Sequence, residues 1–329
     1  MKICIVKLSA MGDIIHAMVA LEFIKKRFPD AQIDWVVESS FAQLLEYNPN
    51  INNILPLQLK KIKKQKSAII EQIALVKHYK KNNYDIIIDA QGLLKSAIVA
   101  KLLKNKNSTL YGFSKNSIRE GIASYFYDKT IEIAYDENTI DRNATILSKP
   151  LGFHITPKDI LAKQPFLFFP NTIQIPKKPY NLFVIGSTWE SRNYPKEKFI
   201  TIANALQQTT YIVWGNEEEH QKALWMQQNS KYVKILPKGD LNTLKAIVAN
   251  ASLVIGNDTG PTHMAWGLNV ASITIFGPTP TNRVYITPIN KVVKSKSTVN
   301  HYKLNKQDFS IYEIDPQEII DIAKELLNT

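Results

Sequence analysis

Cysteine is nearly absent from this chain: Cys4 stands alone among 329 residues. That excludes an internal disulfide framework and leaves no cysteine-based zinc site. Cys4 lies in the apolar run at 3–6, where a free cysteine behaves as a small buried hydrophobe. No apolar run approaches the roughly 18–20 residues of a membrane span. The opening Met1-Lys-Ile-Cys-Ile-Val-Lys-Leu8 reads as a strand and lacks the small-residue cleavage site of a secretory signal, so a cytoplasmic location is expected. No Gly-x-Gly-x-x-Gly follows that strand and no Walker sequence occurs, which weighs against a dinucleotide dehydrogenase and a P-loop ATPase. A Gly-x-Ser-x-Gly elbow and clustered metal-ligand spacings are missing too, so a serine hydrolase and a resident metal are not expected.

Acidic residues are also short: 29 against 41 basic ones, a net charge of +12. Such a balance calls for a polyanionic partner, whether nucleic acid, anionic lipid or a charged sugar. Much of the excess is local, in Lys60, Lys61, Lys63, Lys64 and Lys66, followed by Lys77, Lys80 and Lys81. No aromatic residue interleaves the first five, which argues against a single-strand nucleic-acid platform and leaves a solvated face or an anion-binding segment.

The length suggests two domains. Short apolar strands are predicted over 3–8, 33–37, 86–88 and 110–111, with helices over 14–26, 41–47, 68–81, 93–104 and 141–149. Periodicity then fades through five prolines, Pro157 to Pro179, and strand–helix alternation resumes. Strands are predicted over 182–185, 211–213, 233–235, 253–255 and 272–276, with helices over 196–207, 217–228, 241–250 and 263–267 and an amphipathic tail at 316–327. This alternation predicts α/β architecture with two doubly wound parallel sheets. The expected domains are 1–152 and 180–314, joined by a segment at 153–179. A terminal helix at 315–329 is expected to pack back on the first domain.

Polar turns follow several strands. Gly256-Asn-Asp-Thr-Gly-Pro-Thr-His263 presents a hydroxyl, a glycine and helix amides where an anion docks, framed by Asp258 and His263. Gly186-Ser-Thr188 with Arg192 suits a diphosphate, or is a polar loop with a capping serine. Glu217, Glu218 and Glu219 follow another strand; one carboxylate there accepts ribose hydroxyls, or all three are an acidic helix start favoured by the dipole. Near the start, Gly12 permits a tight turn and Asp13 begins a helix, either as a cap or as a general base, with His16 as its alternative or partner.

Taken together, Ile5-Val-Lys-Leu-Ser-Ala-Met-Gly-Asp13, Asp34-Trp-Val-Val-Glu38, Asp89-Ala-Gln-Gly-Leu-Leu-Lys-Ser96, Trp214-Gly215, Leu236-Pro-Lys238, Asp258-Thr-Gly-Pro-Thr-His263 and Phe276-Gly-Pro-Thr279 resemble the bacterial lipopolysaccharide heptosyltransferases of glycosyltransferase family 9. The inner-core type I members resemble it most, with types II and III as the near alternative. The resemblance implies a GT-B enzyme: two Rossmann-like domains facing across a cleft, the first for the acceptor and the second for the nucleotide sugar. It implies ADP-L-glycero-β-D-manno-heptose as donor, the Kdo residue of Kdo-lipid A as acceptor, no required cofactor, and work at the cytoplasmic face of the inner membrane against an anionic lipid surface. Asp13 matches the general base. Ser187, Thr188, Glu219, Gly239, Asp258, Thr259, Gly260 and His263 match donor positions, and Arg192 stands where the family commonly has lysine. Lys60, Lys61, Lys63 and Lys64 match the acceptor's basic segment, joined by Arg119 and Arg142. A basic nucleic-acid or membrane-surface adaptor is the reading from another class; it accounts for the charge but not for the polar turns.

Overall fold

A computed structural model of the chain describes residues 1–328 and, of Lys63, the backbone alone. The chain divides into two compact units, Met1–Phe168 and Phe169 onward.

The first unit contains β1 (Lys2–Val6), α1 (Met11–Met18), α2 (Ala20–Arg27), β2 (Gln32–Glu38), β3 (Asn53–Leu57), α3 (Leu59–Lys64), α4 (Ala68–Tyr79), β4 (Ile86–Asp89), α5 (Leu94–Leu103), β5 (Thr109–Phe113), β6 (Lys129–Ile131), α6 (Thr139–Ser148) and α7 (Pro157–Leu161). Its strands form one parallel sheet in the order β3-β2-β1-β4-β5-β6. Strand β1 lies inside the sheet, so Ile3, Cys4, Ile5 and Val6 are all fully buried, as a continuous apolar run requires. Cys4 packs with Val6, Val36 and Ile87, and burial pushes its thiol's pKa up. It is a core residue.

The second unit contains β7 (Asn181–Val184), α8 (Lys196–Leu206), β8 (Thr210–Val213), α9 (Glu217–Asn229), β9 (Val233–Ile235), α10 (Leu241–Ala249), β10 (Leu253–Asn257), α11 (Gly260–Gly267), β11 (Ser272–Phe276), β12 (Asn290–Lys294) and α12 (Pro316–Leu327). Its sheet repeats the doubly wound order as β12-β11-β10-β7-β8-β9. In each sheet the direction of winding reverses beside the first strand, between β1 and β4 and between β7 and β10. Ligands of such sheets bind at the carboxyl ends of those strands.

Three strands escape the sequence pattern: β3, β6 and β12. All are edge strands. Pro56 is tolerated in β3 because an edge strand leaves one row of amides unpaired, and β6 and β12 carry lysines and little apolar surface. The lysine run itself forms the short α3, and the stretch predicted as a helix at 41–47 is a 3-10 turn at Ser39–Leu44. The joining segment is shorter than expected, because Ile155, Ile160 and Phe166 are buried and Asn48 Nδ2 donates to the Phe166 carbonyl at 3.1 Å, binding this stretch to the first unit. The tail helix has its core partners in the second unit. Its Ile319, Ile320, Ala323 and Leu326 enter that unit's core with Phe199 and Ile202 of α8, so α12 completes it.

Gly256 sets the spacing at the second reversal point. A Cβ there would lie 2.5 Å from Val184 Cβ on β7 and 2.7 Å from Thr262 Oγ1 on α11. Gly256→Ala is therefore expected to destabilise the protein by about 1–3 kcal/mol through overpacking. Urea unfolding should show a lower midpoint at unchanged slope; an unchanged midpoint would mean that β7 and α11 give way freely.

Candidate active site

In the first unit, the loop after β1 presents Asp13 in the opening turn of α1. Asp13 Oδ2 accepts the Ala10 amide at 3.2 Å, so this carboxylate does cap its helix while its side chain stays half-buried. The loop is held from several sides. Gln91 Oε1 accepts the Leu8 and Ser9 amides at 3.1 Å each, and Trp35 Nε1 donates to the Lys7 carbonyl at 3.2 Å. Lys7 Nζ donates to the Ala90 carbonyl at 2.7 Å and to Asn143 Oδ1 at 3.0 Å. Burial pushes the pKa of Lys7 down, against the pull of Asp13 and Asp89. Asp89, the last residue of β4, is fully buried and accepts from the Gln91 amide (2.9 Å), Ser96 Oγ (2.9 Å) and Tyr127 OH (2.8 Å). Asp89 thus fixes Gln91, Gln91 fixes the loop, and the loop aims Asp13. His16 is buried on α1.

The lysine run lies elsewhere on this unit. The Glu38 carboxylate accepts the Leu59 amide at 3.1 Å and so starts α3. Lys60 and Lys64 are exposed; Lys60 Nζ stands 4.8 Å from the centre of the Phe41 ring. Lys61 pairs with Glu71 at 3.2 Å across an exposed surface. The Lys63 side chain lies outside the described residues. Arg119 is exposed. The Arg142 guanidinium donates to the Ser117 carbonyl at 2.6 Å and to those of Ile133 and Ala134, and lies near the Phe113 ring. It ties loops together.

In the second unit, the turns after β7, β10 and β11 converge on Asp258, 2% exposed. Arg192 Nη2 donates to Asp258 Oδ2 at 2.7 Å and also to the Asp258 carbonyl. Thr279 Oγ1 donates to the same carboxylate at 3.1 Å, and His263 Nε2 lies 3.1 Å from Oδ1. Burial alone would raise this pKa. The His263 bond and the charges of Arg192 and Arg283 outweigh it and hold the carboxyl well below the usual range. Fewer helix amides face outward than the sequence suggested. Pro261 has none, and the Thr262 and His263 amides bond to the Thr259 carbonyl, which leaves Thr259 and Gly260 to supply the turn's donors.

In the turn after β7, Ser187 Oγ is buried without a hydrogen-bond partner among the described residues, whereas Thr188 is exposed. Beside them, Glu219 packs so closely on Gly186 that a Cβ would lie 2.0 Å from its Oε1. Glu219 also accepts the Gly215 amide at 2.7 Å, while Asn216 caps α9 by accepting the Glu219 amide, so Glu219 links the turns after β7 and β8. Trp214 stacks on His220 and donates Nε1 to the Leu236 carbonyl at 2.8 Å, joining the turns after β8 and β9. Gly239 is exposed next to them. The unit therefore gathers Ser187, Arg192, Asp258, Thr259, Gly260 and His263 around one reversal point and Glu219 against its flank.

Sequence reasoning passed over Lys7, Asp89, Gln91, Thr279 and Arg283. All but Arg283 stand at or just past a strand's carboxyl end, and that position was the signal available; Arg283 lies farther on, in the turn at Thr281–Arg283. Among the described residues no cluster of His, Cys, Asp or Glu has the arrangement of a metal site, and no helix is long and apolar enough to cross a membrane.

The family model for glycosyltransferase family 9 (heptosyltransferase) matches residues 72–311. The chain is 36% identical to lipopolysaccharide heptosyltransferase 1 of Campylobacter coli, covering 99% of each chain. It is 30% identical to lipopolysaccharide heptosyltransferase 1 of Escherichia coli K12, over 93% of this chain and 97% of that one. Among solved structures, E. coli heptosyltransferase WaaC with ADP superposes with a TM-score of 0.83 at 24% identity, over 99% of this chain and all of that one. That structural likeness places the fold in the GT-B class.

Because its folded pKa is depressed, Asp258 stabilises the fold fully above about pH 4, and that contribution declines as pH falls toward the lower folded value. Asp258→Asn should cost about 3 kcal/mol at pH 7, as breaking a buried pair does. The gap from wild type in urea melts should narrow as pH drops below about 4. A gap that stays constant through that range would show that the neighbours do not hold the carboxylate ionised.

Proposed function

The chain belongs to glycosyltransferase family 9, and on that premise we propose that it moves L-glycero-D-manno-heptose from ADP-heptose to the Kdo residue of Kdo-lipid A, with inversion at the anomeric carbon. The 36% and 30% identity to type 1 enzymes, over nearly the whole chain, carries this reading over types 2 and 3, a member of each of which is 24% identical. The turns around Asp258 support it over a nucleic-acid or membrane adaptor, which has no need of them.

In the proposed chemistry, the acceptor hydroxyl loses its proton to Asp13 as its oxygen attacks the anomeric carbon. The bond to the β-phosphate oxygen breaks and its electron pair leaves with ADP. The transition state has oxocarbenium character, as in inverting glycosidases, with a sugar hydroxyl in place of water. The first unit is the acceptor unit: Asp13 acts as base, while Lys60, Lys61, Lys63 and Lys64, with Arg119, meet the carboxylate and phosphates of the acceptor. Arg142 shapes the loop at 117–135 in support. The second unit is the donor unit. Arg192, Ser187, Thr188 and Thr259, with the Thr259 and Gly260 amides, offset the charge that develops on the diphosphate. Glu219 accepts ribose hydroxyls, Gly239 offers main chain to the adenine, and Asp258 with His263 holds Arg192 and the turn in place. An anionic lipid acceptor and an exposed lysine run fit work at the cytoplasmic face of the inner membrane.

The direct test is transfer from ADP-heptose to Kdo-lipid A compared with an already heptosylated core. Product from the first acceptor alone is expected; product from the second alone would assign the chain to type 2 or 3. Asp13→Asn should lower turnover about 10²–10⁴-fold with ADP affinity retained. Turnover near wild type would remove the base role from Asp13.

Replacing Lys60, Lys61, Lys63 and Lys64 with glutamine should weaken the lipid acceptor more than a short soluble Kdo analogue and leave ADP affinity nearly intact. The wild-type acceptor affinity should fall with salt, since exposed charges are screened over about 8 Å at physiological ionic strength. Equal kinetics on both acceptors would return the run to a solvated face.

A further inference from the structure

The loop between β12 and the 3-10 turn at Ser310–Glu313 carries a cation that no motif predicts. Its base is closed by two rungs, Ser295 Oγ to Ser310 Oγ at 2.8 Å and Ser297 Oγ to Asp308. Lys294 Nζ adds a bond to the Gly277 carbonyl at 2.7 Å. The loop leans on the donor turn. Ile311 is fully buried over Gly277, where a Cβ would lie 2.8 Å from Ile311 and 3.1 Å from the Ser191 carbonyl. Little room is left between these three segments. Farther out, Lys306 Nζ stands 4.8 Å from the centre of the Trp189 ring, and the Arg192 guanidinium stands 5.5 Å from the same ring.

The charges are unequal in their partners. Arg192 is paired with Asp258, and Arg283 acts on the same carboxylate. Lys306 is exposed and, among the described residues, has the Trp189 ring in place of an acid. An exposed cation–π contact is weaker than a charge-assisted bond to a phosphate, so a diphosphate at this turn would draw the ammonium off the ring. Demand for that charge rises during the reaction. When the anomeric bond breaks, the electron pair stays on the β-phosphate, and the leaving ADP carries roughly one more negative charge than the bound diphosphate did.

Resting on the donor assignment above, we propose that Lys306 is a second cationic arm of the donor site, held on Trp189 when the site is empty and transferred to the β-phosphate of ADP. Trp189 keeps the arm within reach, and the closed loop limits how far it strays.

Calorimetric titration with ADP and with AMP, on wild type, Lys306→Gln, Lys306→Arg and Trp189→Phe, tests this. Lys306→Gln should weaken ADP about tenfold while AMP, which lacks the β-phosphate, stays within about twofold. Lys306→Arg should restore most ADP affinity. The ADP-induced change in tryptophan emission should be larger in wild type than in Trp189→Phe, because the cation leaves that ring. Unchanged ADP affinity in Lys306→Gln, equal losses for ADP and AMP, or an identical emission change in both proteins would each overturn the proposal. Failure of the wild type to bind ADP would instead remove the donor site on which it rests.

Discussion

One buried carboxylate organises the second unit. Asp258 stands just past β10 and ties three neighbours to itself: the turn after β7 through Arg192, helix α11 through His263, and the turn after β11 through Thr279. Parallel sheets leave their carboxyl-end loops without ladder partners, so something else must fix those loops relative to one another. A carboxylate has acceptor sites for several donors at once. The choice carries a constraint: with Asp258 this buried, its neighbours must keep it charged, and two arginines and a histidine do so.

The first unit solves the same problem with a different balance. Asp89 ends β4, which stands in its sheet where β10 stands in the other, and it too gathers backbone amides, a serine and a tyrosine from adjacent segments. Its hydrogen-bond partners among the described residues are neutral groups, without an arginine. Burial therefore wins over the four hydrogen bonds and raises its pKa, the reverse of Asp258. The contrast follows the proposed division of labour. A turn that receives a diphosphate needs cations, and those cations also keep its hub ionised. A loop that presents a base needs rigidity, which neutral donors supply with Lys7 nearby.

Most of the fold was legible because interior strands of a parallel sheet are continuous apolar runs, and such runs at 3–8, 182–185 and 253–255 stand out. Edge strands carry no such mark; Asn290-Lys-Val-Val-Lys294 pairs on one side only and tolerates lysine at both ends. The tail helix showed its apolar face but not its partner, since an amphipathic stripe states only that something covers it. Candidate residues with strong local chemistry, Asp13, Arg192, Glu219 and Asp258, could be picked out from the turns they occupy. Their supports could not. Gln91 and Thr279 matter through side chains that meet residues more than twenty positions away or in another loop, and nothing local in either residue announces it. Arg142 entered only through the resemblance, and nothing local announces that its planar fork serves three carbonyls.

An arginine at 192, in place of a lysine, gains a reason from Asp258. Lysine is a compact point charge at the end of a flexible stem, and one bond from its ammonium to a buried aspartate leaves its other donors free to rotate. Guanidinium is a planar fork with five donors. Arg192 commits Nη2 to the Asp258 carboxylate and carbonyl, and that contact fixes the plane of the whole group. Its remaining edge is then oriented before any ligand arrives, which is the condition for stabilising charge without reorganisation. Pairing lowers the net charge of the turn, so a diphosphate site built on Arg192 requires further cations. Arg283 and Lys306 stand on the two loops that adjoin it.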